Sequence, residues 1–388
     1  MRRTLIATLA ALLLAGLVGS VSAQQPFQAA QLTFAEIPYD SVPNLLKLPA
    51  NLHLGEVAGV ATNSRGQIFV YTRTGTTTAT LGGSRVIAHG GSRLFQFDQN
   101  GAFMREIGVG IYGFLFAHVV RIDPQDNIWV VDEMANQIIK LDPAGKLLMV
   151  LGRKPEALNI ANYEPPTPPA APAGRGGGEG GGAAAGGRGG AAPAPPPPQG
   201  VGIPGDTFNR PTDVAWDAQG NIFISDGYGN SRVAKYDKNG VYVKAWGSRG
   251  AGIGQFNTVH TIAVDAQGNV YAGDRGNSRI QVFDNNGNFK TQFLHVGAPW
   301  AICITPGPHQ YLYTSNSNGT GNFDNGEIYK MELDGKVIGK FGTAGKQMKE
   351  FGSIHEIDCR TDNQILVGEL TNWRVQKLML RPAGSATN

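Results

Sequence analysis

A block of fourteen residues that returns after 48 constrains this chain more than any other feature. Phe208-Asn209-Arg210-Pro211-Thr212-Asp213-Val214-Ala215-Trp216-Asp217-Ala218-Gln219-Gly220-Asn221 is matched from Phe256 to Asp265-Ala266-Gln267-Gly268-Asn269. Each copy continues through a second apolar segment (222–225; 270–273) and a polar loop, 226–232 or 274–279. A third segment then meets an Asn-Gly hairpin, Asn239-Gly240 or Asn286-Gly287, that turns into a fourth. A period in the forties with four strands per unit predicts an all-β, six-bladed propeller. The abundant glycine (54 residues) serves the tight turns that such a fold needs.

The same frame fits four more times, giving blades at 51–108, 114–157, 208–250, 256–297, 298–345 and 351–382. Phe114, Phe208, Phe256 and Phe351 hold one place ahead of the first strand. Blade six has three strands of its own, ending near Leu380. The N-terminal extension 24–50 is therefore expected to supply the fourth from around Leu32 to Ile37. Such a strand closes the ring and leaves no free edge.

The remaining segments are not blades. Arg2 and Arg3, the apolar run Leu5 to Val18, and Val21-Ser22-Ala23 read as a signal peptide over 1–23, with the mature chain starting at Gln24. The protein is expected to be periplasmic or secreted, with no membrane span once the signal is cleaved. Residues 158–206, rich in Gly, Ala and Pro, cannot bury enough apolar surface to offset ordering and read as a disordered insert. Residues 383–388 form a tail. The formal charge of +3 includes the two signal arginines, so nothing argues for nucleic acid as a partner. Cys303 and Cys359 sit one step apart in repeat register, which predicts opposite faces and two buried free thiols.

Candidate chemistry comes from one column of the repeat. The position at the start of each innermost strand reads Ala58, His118, Thr212, His260, Trp300, His355. Of seven histidines in the chain, three share this column and occupy alternate blades. Alternate blades of six lie about 120° apart, so the three imidazoles should converge on the axis and leave a fourth position open. That is the donor set of a catalytic zinc or iron site. The loops between second and third strands should overhang the same face, bringing Arg73, Tyr228 and Arg275 above the histidines.

The patterns Asp-x-x-Gly-Asn and Asp-x-x-x-Asn-x-Arg resemble the NHL repeat. The stretches Gly59-Val60-Ala61, Phe116-Ala117-His118, Ser225-Asp226-Gly227-Tyr228-Gly229-Asn230-Ser231-Arg232, Val259-His260 and Ile354-His355-Glu356 resemble peptidyl-α-hydroxyglycine α-amidating lyase (peptidylamidoglycolate lyase). By that resemblance His118, His260 and His355 hold zinc, Tyr228 is the catalytic base, Arg73 its catalytic partner, and Arg275 contacts substrate. The resemblance also implies a calcium ion on the Val60 and Val120 carbonyls, with Glu356 where the family has a shorter aspartate. Gly229 stands where the animal enzymes have a disulfide-forming cysteine.

The implied reaction cleaves the C–N bond of a peptidyl-α-hydroxyglycine to an amide and glyoxylate. The implied partner is therefore a small-molecule or peptide C-terminal substrate, and the protein is expected to be a monomer. Two other readings stand beside it. One is a non-catalytic NHL propeller that binds a peptide, glycan or envelope protein. The other is a propeller enzyme of the lactonase or streptogramin-lyase type.

Overall fold

The computed structural model describes residues 33–74, 78–81, 85–88, 91–152, 207–317, 325–361 and 363–381. The segment 1–23 read as a signal peptide, the expected insert 158–206 and the tail 383–388 lie outside the described residues. All described strands fall in the unit Phe34–Asn388. No helix among the described residues is long and apolar enough to cross a membrane.

Six four-stranded antiparallel sheets surround one axis. Blade one is Glu56–Thr62, Ile68–Arg73, Ser92–Phe97 and Phe103–Ile107, with a small hairpin (Thr78–Leu81, Arg85–Ala88) between its second and third strands. Blade two runs from Ala117–Ile122 out to Leu147–Leu151, and blade three from Asp213–Trp216 to Tyr242–Trp246. Blade four spans Val259–Val264 to Phe289–Phe293 and blade five Pro299–Ile304 to Val337–Phe341. Blade six has Ile354–Thr361, Gln364–Glu369 and Arg374–Leu380. The innermost strands touch in cyclic order, and that of blade six returns to that of blade one.

Ring closure is as expected, but the closing strand is a few residues later than the sequence suggested. Tyr39–Val42 pairs antiparallel with Arg374–Leu380. The segment just before it bridges Glu36 to Lys340 on the outer strand of blade five instead. Both segments are short and amphipathic, so local pattern does not say which one meets the open edge.

The repeat motifs have direct mechanical meaning. Asp226, at the end of a second strand, accepts the Asn209 amide at 2.9 Å, Asn230 Nδ2 at 2.6 Å and Arg232 Nε at 2.9 Å. Asp274 does the same with Asn257, Asn277 and Arg279, and Glu369 with Gly352, Asn372 and Arg374. One buried carboxylate thus ties the chain ahead of the first strand to the loop and third strand. These charge-assisted bonds satisfy groups that burial would otherwise leave unpaired. Asp217 and Asp265 cap the first turn of their blades through their own downstream amides.

The core lies between blades rather than within one. Tyr71, Phe114 and Val120 pack between blades one and two, and Phe341, Phe351 and Ile357 between five and six. This stacking also explains a correction. Cys303 and Cys359 form a disulfide, not two free thiols. They do lie on opposite faces of equivalent strands, but opposite faces of successive blades are the ones that meet.

Candidate metal centre

The three histidines converge. Imidazole centroids lie 4.7 Å (His118–His260), 4.6 Å (His118–His355) and 4.9 Å (His260–His355) apart. A donor nitrogen from each lies within 4.8 Å of the others, and all three residues are buried.

What aims them is a β-bulge. The ladder between first and second strands skips a residue at Ala117/Val119, Val259/Thr261 and Ile354/Glu356. In each case the extra residue is the histidine. A bulge leaves one residue unpaired and turns its side chain out of the usual alternation, here toward the axis. Blade one bulges at Ala58 in the same way, and blade five at Trp300 and Ala301. Blade three runs regularly through Asp213.

The bulges also present carbonyls to the ring nitrogens. His355 Nδ1 lies 2.7 Å from the Ala58 carbonyl, and His260 Nδ1 lies 2.7 Å from that of Trp300. Donation there fixes the tautomer and leaves Nε2 for a cation. His118 faces blade three, which has no bulge to offer a carbonyl. Both of its nitrogens are buried without a hydrogen-bond partner, as is Nε2 of His260. Buried orphan nitrogens of this kind are costly unless something coordinates them.

Electrostatics keep these rings neutral. Burial holds His355 down at about 3, with Arg73 and Arg275 adding to it. Burial likewise drops His118 and His260 well below the usual imidazole range, helped by the neighbouring rings and by Arg275. Neutral imidazole is the form that ligates a metal. The residues therefore fit a divalent ion with one or more open positions.

Tyr228 lies edge-on to two of the rings, with centroids 5.7 Å from His118 and 5.8 Å from His260. Its loop is pressed against blade four because a Cβ on Gly227 would lie 1.8 Å from the Val259 carbonyl oxygen, so glycine is required. Arg275 donates Nη1 to the Tyr228 hydroxyl at 3.5 Å, with its guanidinium also 4.5 Å from the Trp300 ring centre. Arg73 is engaged with other groups. It donates Nε to the Ala117 carbonyl (2.8 Å), pairs with Glu56 (3.0 Å) and lies over Phe116 at 3.9 Å. Burial pushes the Tyr228 phenol up. Arg275, then Arg73 and Arg210, oppose it, and Glu133 reinforces it.

Several contributors escaped the sequence reading. Arg210 covers the Tyr228 ring at 4.5 Å and is itself ion-paired to buried Glu133. Glu133 shares a repeat column with Arg73 and Arg275, which is the signal that could have found it. Trp300 was in the histidine column, and its bulge supplies the carbonyl. Val60 and Val120 lie on the first strands below the histidines, where Glu356 is paired with Arg121 at 2.9 Å.

Fold and site together define an NHL-type six-bladed propeller with a three-histidine centre on its axis. The family model of the NHL repeat matches residues 208–236 and 256–283. The chain is 29% identical over 277 residues to peptidyl-glycine alpha-amidating monooxygenase A of Xenopus laevis, covering 66% of this chain and 24% of that protein. It is 25% identical over 291 residues to peptidyl-alpha-hydroxyglycine alpha-amidating lyase 1 of Drosophila melanogaster, covering 69% of this chain and 45% of that one. The chain thus spans about a quarter of the frog protein and less than half of the fly protein. The resemblance to amidating lyases read from the sequence holds. A solved streptogramin B lyase is 13% identical, with a TM-score of 0.50 over 89% of this chain and 97% of that one; the likeness is one of fold.

Proposed function

We propose that the protein is an exported, metal-dependent lyase that cleaves the C–N bond of a peptidyl-α-hydroxyglycine or similar carbinolamide. The products are an amide and glyoxylate. The observation that carries this reading is a tyrosine packed on two of three neutral, converging imidazoles, with Arg275 at its hydroxyl and Arg210 over its ring, in a chain similar to proteins named as amidating lyases.

His118, His260 and His355 would hold a divalent ion, which when bound would supply Lewis acidity toward the substrate hydroxyl. Tyr228 is the base. It takes the hydroxyl proton as the C–N bond breaks, and the proton passes to the departing amide nitrogen. The C–O bond becomes the aldehyde of glyoxylate, so atoms and electrons balance. Arg275 stabilises the phenolate through its position 3.5 Å from the hydroxyl. Arg73, braced by Glu56 and the Ala117 carbonyl, orients the substrate carboxylate. Braced side chains lower the cost of placing the substrate. Export accords with the disulfide, which forms in oxidising compartments.

The test is glyoxylate release from α-hydroxyhippurate by zinc-loaded protein, with Tyr228→Phe compared at equal metal content. The reading expects turnover by the wild type and a loss of roughly 10²–10⁴-fold in kcat for the variant. One equivalent of bound metal with no glyoxylate would overturn the reaction while leaving the metal centre in place.

A further inference from the structure

Three residues after His118, the first strand of blade two directs Arg121 toward the axis. Its guanidinium grips Asp213 of blade three in bidentate fashion, Nε to Oδ1 at 3.0 Å and Nη2 to Oδ2 at 2.6 Å. Nη1 lies 2.9 Å from Glu356 Oε1 of blade six, and Nη2 also reaches the Ile302 carbonyl of blade five at 3.3 Å. Both carboxylate side chains are only 2% exposed. Asp213 Oδ2 further accepts Thr261 Oγ1 at 2.9 Å and the Ile262 amide at 3.1 Å, both from blade four. Thr261 Oγ1 in turn accepts the Ile302 amide at 3.0 Å. One arginine is thus the hub of a belt that joins the inner strands of five blades.

The family resemblance implies calcium at this level, on the Val60 and Val120 carbonyls and Glu356. The residues present do not fit it. Calcium takes six to eight oxygen ligands, carboxylates foremost. Here the one carboxylate in that set is already bonded to a guanidinium, and the second carboxylate nearby is gripped by the same group. An added ion would meet a fixed positive charge inside its own coordination sphere. Arg121 also lines a cavity of about 400 Å³ at the opposite end of the axis, which none of the three histidines lines. The guanidinium therefore belongs to the floor between that cavity and the metal centre.

We propose that Arg121 is a built-in cation that replaces a structural calcium, so this propeller holds an ion at its three histidines and none beneath them. A guanidinium cannot dissociate and has directional donors. The inner strands of blades two and six, which carry His118 and His355, are then registered against each other independently of any second ion. The inference rests on the axis alone and not on the reaction proposed above.

The experiment uses zinc-loaded protein in buffer freed of calcium over a chelating resin. Calcium chloride titrated by calorimetry should give no heat beyond dilution, and millimolar calcium should not move Tm. Uptake of one equivalent, or a calcium-dependent rise in Tm, would overturn the proposal. Arg121→Ser should lower Tm by on the order of 5–10 °C, because it strands two buried carboxylates. Calcium should then restore at least half of that loss. A destabilised Arg121→Ser that calcium does not rescue would show that the guanidinium is only a tie, and the proposal fails. Should Arg121→Ser not fold, Arg121→Lys decides alongside the wild type: it must remain insensitive to calcium.

Discussion

His118 differs from its two partners in a way that sets its behaviour. His260 and His355 each give Nδ1 to a bulge carbonyl, whereas both nitrogens of His118 are buried and unpartnered. Without an ion, His118 leaves two buried nitrogens unpaired where His260 leaves one, so it costs more stability than its partners. With one, its lone pair closes the ligand set. Zinc should therefore raise the Tm of the wild type, since binding to the folded state alone stabilises it. His118→Ala should abolish that rise and lower zinc affinity by more than the roughly 10–100-fold that loss of an outer partner costs. Thermal melts with and without zinc, paired with metal analysis, read both effects. A zinc-dependent Tm rise that survives in His118→Ala would refute the shared site.

Single elements turn a repeat into a site. The bulge in the first strand places each histidine on the axis, and the loop after the second strand lays Tyr228 against His118 and His260. Gly227 is what allows that loop to lie so close, since its missing Cβ would overlap the Val259 carbonyl next to His260. Gly227→Ala should push the loop outward, cost about 1–3 kcal/mol of stability and cut turnover at least tenfold. Metal content should stay at the wild-type level, because no histidine is touched. Equal turnover by the variant would mean that Tyr228 does not need its place against His260. The Asp-x-x-x-Asn-x-Arg signal for this loop was legible because all its bonds are local to one blade. The bulge was not, because a period-two strand pattern and a bulged one differ by a single unpaired residue.

At the scale of the whole ring, closure depends on two long-range ties. The strand Tyr39–Val42 covers the last edge of blade six, and the Cys303–Cys359 disulfide joins the inner strands of blades five and six. The disulfide spans 56 residues of chain, a separation for which loop-closure entropy predicts about 4 kcal/mol of stabilisation. Replacing both cysteines by alanine should lower the denaturation midpoint correspondingly and leave zinc uptake intact, as chemical denaturation and metal analysis would show. A midpoint unchanged by the replacement, or by thiol reduction, would show that the bond contributes nothing to closure.

By itself the sequence determined whatever is written within one repeat: strand count, turn chemistry, the histidine column and the loop bearing Tyr228. Those follow from contacts a few residues long, copied from blade to blade. Only the tertiary structure decided which residues meet across blades: the disulfide, the closing strand, the pairing of Arg275 rather than Arg73 with Tyr228, and Arg121 on the axis. Such contacts depend on how opposite faces of successive sheets stack around a closed ring, and spacing along the chain carries no record of that geometry.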